Sequence, residues 1–158
     1  QVLLRAVGPG LAHFGVESVE MHNNVFYITS SVVFDDSEAS WVFGRRVSGG
    51  NNWVHSGAGF PAEWTGTLTG STPGFFDMAN DLLSPDAGSI LIDAGTATMT
   101  SPPGSPFPNP LVVPLFHPPQ EALIPVGTAE PRPADGAIDI GAFERNQDTT
   151  DCLRSRAS

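Results

Sequence analysis

The chain has 158 residues, 40% of them hydrophobic and 15% charged, with a formal net charge of −10. That composition supports a real core, argues against global disorder, and makes one domain the natural organisation. The charge argues against nucleic acid and anionic membrane as partners: there is no lysine, and the seven arginines form no basic cluster.

Glycine and proline punctuate the whole chain, with 17 and 15 copies. This favours short strands and many turns over long helices. The single cysteine, Cys152, excludes an intrachain disulfide. No apolar run approaches the length of a membrane-spanning helix. The chain opens at Gln1 with no basic-then-apolar leader. The expectation is a processed piece of a longer secreted protein, acting outside the cell or at its surface.

Residues 2–7 read as a strand and residues 8–10 as a sharp turn. Residues 17–34 carry apolar runs on both sides of a polar corner, His22-Asn23-Asn24. Asparagine tolerates the left-handed backbone and bonds neighbouring main chain, so such corners stack well in a coil of parallel strands. A second copy is Gly50-Asn51-Asn52-Trp53, 28 residues on if Asn24 is matched to Asn52. Recurrence at 20 to 30 residues is what a solenoid shows. Between the copies lie an acidic run, Asp35, Asp36 and Glu38, and the pair Arg45-Arg46. Alternation sends the two arginines to opposite faces. Residues 55–72 form a Gly/Ser/Thr-rich loop that returns to the coil at residues 65–68.

Residues 72–95 contain two short apolar pieces, each bracketed by turn residues: Phe75-Phe76-Asp77 and Ile90-Leu91-Ile92. Both read as strands. Residues 96–134 hold eleven of the prolines. Ladder hydrogen bonds need an N–H at each residue, so this stretch is an extended excursion and no central strand. Its apolar groups, residues 111–113, 115–116 and 123–126, are expected to lie against the coil or cover its open end. Residues 135–144 alternate Ile138, Ile140 and Ala142 with Asp139 and Gly141, the pattern of a half-buried strand. The tail, 145–158, reads as flexible.

The pair PGFFD…NDLLSPDAGSILIDAG (residues 73–95) and DGAIDIGAFE (residues 135–144) resembles the C-terminal end of bacterial secreted right-handed parallel β-helix, pectate-lyase-like proteins. The likeness covers about a fifth of the chain. It implies an all-β fold: a short right-handed parallel β-helix of three or four turns with the proline-rich arm packed on it. Residues 1–144 form that single domain, with the coil in 1–95, the excursion in 96–134 and the closing strand in 135–144. It also implies an extracellular, polysaccharide-directed module, the C-terminal part of a lyase-like or hydrolase-like protein. The other reading is a non-catalytic glycan-binding, adhesin or assembly module that self-associates through its exposed first turn.

Each chemistry has its candidate residues. A lyase needs a base that removes the proton beside a uronate carboxylate. Without lysine, Arg45 or Arg46 must serve, with its pKa strongly lowered. A hydrolase needs paired carboxylates, for which Asp35 and Asp36 stand in. Calcium, with its taste for several oxygen ligands, is the possible cofactor, held by Asp35, Asp36 and Glu38. Trp41, Trp53, Trp64 and Tyr27 are the candidate platforms for sugar rings. Asp77, Asp81, Asp93 and Asp139 are expected to cap turns. Zinc, Walker and dinucleotide motifs are absent from the sequence.

Overall fold

The structure, a computed structural model, describes residues 2–7, 15–27, 31–37, 39–104, 111–117, 125, 127, 129, 131–133 and 136–145. Its described elements are β1 (Val2–Val7), β2 (Gly15–His22), β3 (Val25–Phe26), β4 (Val47–Gly50), β5 (Trp53–His55), β6 (Trp64–Thr65), β7 (Leu68–Gly70), β8 (Phe75–Asp77) and β9 (Leu82–Pro85). A single 3-10 turn, Met78–Asn80, follows β8. The fold is all-β.

Three stacked tiers organise the first half. In one sheet β2, β4 and β6 run parallel; in the other β3, β5 and β7 run parallel. The register is shared: Met21 sits beside Gly49 and Gly49 beside Trp64, while Val25 sits beside Trp53 and Trp53 beside Leu68. Each tier passes from the first sheet to the second through a two-residue corner. The first corner residue has a left-handed backbone in every tier: Asn23 (φ 56°), Asn51 (φ 51°) and Gly66 (φ 61°).

The parallel pairing is only part of the picture. β1 lies antiparallel on β2, and β8 pairs antiparallel with β9. β1 therefore closes the outer edge of the first sheet, where a uniformly parallel coil would leave it open. In the second sheet β3 is an edge strand.

Two apolar clusters hold the tiers together. Between the sheets, Val47, Val54 and Trp64 are buried with Met21, Phe26, Val33, Phe34 and Trp41 against them. Trp64 stacks on Phe26 at 5.4 Å and on Phe60 at 6.1 Å. On the opposite face of the second sheet, Trp53, Leu91 and Ile140 are fully buried, with Val25, Leu68 and Phe75 around them. Alternation along β5 explains the split: Trp53 faces out to one cluster and Val54 faces in to the other. The loop segments around Leu91 and Ile140 thus cover the outer face of the second sheet.

Two expected strands are not strands. Residues 90–92 form a turn, and residues 138–142 are irregular, with bends at 140–142. Their apolar residues are only partly buried, Leu91 and Ile140 fully so and Ile90 and Ala142 exposed, and the backbone is broken by left-handed Asp93 (φ 55°) and by Gly141 (φ 119°). Their hydrogen bonds are made one at a time: Gly95 N–H to Ile138 C=O (2.7 Å), Ile140 N–H to Leu91 C=O (2.9 Å) and Gly141 N–H to Asn23 C=O (3.0 Å).

The proline-rich excursion divides. Residues 96–104 cross the outer face of the first sheet. Thr96 exchanges two bonds with the Asn23 side chain, both 2.8 Å, Ser48 Oγ donates to Thr100 C=O, and Arg46 Nη1 donates to Gly104 C=O. Ser18, Glu20 and His22 are buried on that face. Further on, part of the expected apolar cover is corrected: Val112, Leu115 and Phe116 are exposed, at 72%, 78% and 52%, Leu111 and Val113 are half-buried, and residues 123, 124 and 126 lie outside the described residues. The antiparallel contact of Phe116 with Pro131 holds this stretch by its backbone. The turn at 8–10 and the tail from 146 lie outside the described residues.

Candidate functional site

The corner between the sheets is built from amides. Asn52 is fully buried. Its Oδ1 accepts from the Asn24 N–H at 2.9 Å and from Asn24 Nδ2 at 3.1 Å, and its Nδ2 donates to Met21 C=O at 2.9 Å. Asn51 Nδ2 reaches Ala94 C=O at 2.8 Å. The four asparagines singled out in the sequence are thus brought together.

Beside this corner, along the free edge of β3, opens a groove of about 660 Å³. One wall is the Asn24, Val25 and Tyr27 stretch. The facing walls come from Phe75, Met78 and Leu83 and from Ile138, Ala142 and Phe143. Tyr27 is 46% exposed and is steadied by Trp53 at 6.1 Å and by the edge of His55 at 5.5 Å. The volume and the mixture of apolar walls with a few polar groups are those of a small-ligand site.

The groove's cation, Arg132, is not free to meet a charged ligand. Its Nε donates to Glu144 Oε1 at 2.6 Å, its Nη2 pairs with the same carboxylate, and its Nη1 donates to Ala142 C=O. Glu144 Oε2 accepts the Asp139 N–H at 2.9 Å. Asp139 in turn accepts the N–H of Asp93 at 2.7 Å and of Arg145 at 2.6 Å. The Glu144 N–H donates to His117 Nε2 at 2.9 Å, which places the His117 proton on Nδ1. Burial pushes the Asp139 and Glu144 carboxyls above their ordinary range, against the hydrogen bonds and the Arg132 charge that pull them down. Both acids are committed to holding the closing segment in place. Sequence reasoning expected a turn-capping role for Asp139. It missed Glu144, His117 and Arg132, which bond one another across 12 and 27 residues of chain.

The catalytic candidates form a separate, exposed cluster. Arg45 Nε donates to Asp36 Oδ2 at 2.6 Å, and Arg45 Nη1 pairs with Glu63, a residue the sequence did not single out. Partial burial would lower the Arg45 pKa; the two carboxylates outweigh it and raise it. A base needs the opposite shift, and both carboxylates engage the Arg45 guanidinium. Arg46 diverges from it, lying 5.1 Å over the Phe43 ring and bonding Gly104. Asp35 Oδ1 accepts the Ser37 N–H at 3.0 Å, which holds the carboxyl below its ordinary value. Asp35 and Asp36 thus serve different partners. Glu38 lies outside the described residues. Among the described residues no three acidic, His or Cys side chains gather to hold a metal.

The tryptophans are also corrected. Trp53 is fully buried, Trp64 is 5% exposed, and Trp41 packs on the inner cluster. The first two have no open ring face, and Trp41 is half-buried against the inner cluster. Of the four candidate platforms, Tyr27 is the one that opens onto the groove.

No family model, no curated protein and no solved structure matches the chain.

Proposed function

We propose that the chain is a short right-handed parallel β-helix module that acts outside the cell and recognises polysaccharide without turning it over. The observation that carries this reading is the open groove at the β3 edge, with the Tyr27 ring at its wall and apolar surface opposite. A pyranose offers a C–H face to such a ring and hydroxyls to the flanking amides. The β-helix assignment is supported by the two three-deep parallel stacks, their common register and the left-handed corners at Asn23, Asn51 and Gly66. It is supported also by the resemblance of residues 73–95 and 135–144 to the closing end of such proteins.

Recognition is favoured over catalysis because the candidate groups are engaged. Arg45 is held between two carboxylates, and Asp139 and Glu144 each accept hydrogen bonds at both oxygens. Self-association through the first tier has less surface than the sequence suggested, since β1 already covers β2.

The test is affinity electrophoresis of the intact chain against a panel of neutral and acidic polysaccharides, followed by calorimetry on whichever retards it. Replacing Tyr27 with Ala should weaken binding at least about tenfold, the loss of one aromatic contact of 1.5 kcal/mol or so, with the melting temperature little changed. Absence of binding to every polymer refutes the reading. Appearance of unsaturated or reducing-end products refutes its non-catalytic half.

A further inference from the structure

Charge decides what the groove can hold. Among its described lining residues one carries a formal charge, Arg132, and that guanidinium is closed to a ligand. Its side chain is 5% exposed. Nε and Nη2 meet the Glu144 carboxylate, itself 4% exposed, and Nη1 donates to Ala142 C=O at 3.0 Å. An anion could reach it only by displacing Glu144, which would leave a buried carboxylate without its cation. The lining amides are engaged as well. The Asn23 side chain exchanges two bonds with Thr96, and Asn24 Nδ2 donates to His22 C=O and to Asn52 Oδ1, both at 3.1 Å. A carboxylate entering the groove would lose its water and gain no charged partner among these residues.

Repulsion reinforces this. The 3-10 turn Met78–Asn80 supplies Met78 to the wall and has a carboxylate at each end, Asp77 and Asp81. The chain as a whole carries −10. Both fields push a polyanion away before contact. Among the described lining residues there is no carboxylate through which calcium could bridge two negative partners. The remaining surface is apolar, with Phe75, Leu83, Ile138 and Phe143 joining the Tyr27 ring. Such a lining takes the C–H faces of an uncharged sugar without desolvating an ion.

We propose that the groove selects uncharged glycans and excludes uronates. This rests on the polysaccharide reading above and names the ligand class of that site. Selection works by refusal. What an acidic polymer would gain from the apolar walls it loses to an unpaired carboxylate inside and to Asp77 and Asp81 at the rim. The uronate chemistry of a lyase has no place in this groove.

The experiment uses the intact chain and matched pairs of tetrasaccharides that differ only at C6, hydroxymethyl in one and carboxylate in the other. The pairs are glucose with glucuronate, galactose with galacturonate and mannose with mannuronate, each of one linkage. In whichever pair binds, calorimetry should show the neutral member at least about tenfold tighter at low salt. Its affinity should hold steady as sodium chloride rises from about 0.02 to 0.5 M, while any binding of the acidic member strengthens as the repulsion is screened. Ala142→Lys sets an ammonium at an exposed lining position. It should raise the affinity for the acidic member at least about tenfold at low salt. Met78→Lys, at a lining residue 42% exposed, is the second variant should the first disturb folding. Equal binding within a pair, or tighter binding of the acidic member, overturns the neutral assignment while the glycan reading stands. Folded lysine variants that gain nothing for the acidic member overturn it too, because charge then plays no part in the choice. Failure of every tetrasaccharide and every polymer removes the glycan reading itself, and the neutral assignment with it.

Discussion

Replacing Asn52 with Ala should be among the most damaging single changes in the chain. The Asn52 amide is fully buried and makes three bonds: two accepted from Asn24 and one donated to Met21 C=O. Each such bond contributes on the order of 1 kcal/mol net. Removal also leaves the Asn24 N–H without this partner in a part-buried corner, at roughly 1 to 3 kcal/mol, while Met21 C=O keeps its place in the β2–β4 ladder. Taken at the low end, because some of the corner can admit water, the loss is about 3 to 4 kcal/mol. That is a large share of the roughly 5 to 15 kcal/mol that holds a domain together. For a chain of this size about 2 to 4 °C of melting temperature accompany each kcal/mol, so the shift should be roughly 6 to 16 °C downward. Urea titration followed by circular dichroism measures it. Asn52→Asp is the informative companion: it keeps an acceptor for Asn24 but sets a carboxylate oxygen against the Met21 carbonyl, and should lose comparable stability. If Asn52→Ala lowers stability by less than about 1 kcal/mol, the corner is held by packing and the amide stack is incidental.

Three further changes separate contributions by magnitude. Arg132→Ala strands the buried Glu144 carboxylate and should cost about 3 kcal/mol or more, whereas Arg45→Ala, in an exposed cluster, should cost no more than about 1 kcal/mol by the same urea titration. Gly49→Ala should destabilise by roughly 1 to 3 kcal/mol in thermal melts, because a methyl there meets the Met21 carbonyl and lies 2.6 Å from Trp64 Cδ1. Lowering the pH should destabilise the fold in a window set by His22. Burial lowers its pKa from 6.5, partly offset by a bond with the Thr100 backbone. The unfolded chain then binds the proton more readily, so stability is intact above about 6.5 and declines as the pH falls from there through the folded value. Melting curves between pH 7.5 and 5.5 should show the decline, and His22→Gln should flatten it (both pH limits set at about one unit around the reference imidazole).

Local signals in the sequence carried the parts of the fold that depend on local backbone. Asn23 and Asn51 were legible as corners because a left-handed residue with a side chain is so often asparagine, and the turn is decided within two residues. The third corner, Gly66-Thr67, was not: glycine is abundant here, and the next tier follows after 15 residues instead of 28, as the registers of Trp53 with Val25 and Leu68 show. The apolar run at 90–92 and the alternation in 138–142 pointed to buried positions, and Leu91 and Ile140 are buried, although Asp139 is buried and Ala142 exposed against the pattern. Both signals misjudged the backbone, since a buried loop residue and a buried strand residue look alike in hydropathy. The groove was beyond reach for a different reason. Its walls come from residues 23–27, 75–83, 114, 132 and 138–143, and only the folded chain brings these together. Tyr27 was named without a partner.

The corners also explain why the two halves of the chain depend on each other. Glycine at position 66 is enough to make the bend, so asparagine at 23 and 51 must do something more. Both extend an amide beyond the tier: Asn23 exchanges two bonds with Thr96, and Asn51 donates to Ala94 C=O. Gly141 then adds its N–H to Asn23 C=O. The segment after β9 and the closing segment are therefore fastened to the same column of corner residues that sets the register of the parallel strands. The closing segment supplies Ile138, Ala142 and Phe143 to the groove. Substituting Asn23 with Gly would keep the bend and the main-chain bond to Gly141 but remove both bonds to Thr96. The segment after β9 should then loosen at the corner while the tiers and the closing segment stay in place. A loss of roughly 1 to 3 kcal/mol in urea titration with near-normal strand circular dichroism and retained ligand binding is the expected outcome. Lost binding would show that the groove's far wall hangs on the Thr96 strap and not on the main-chain bonds of residues 138–141.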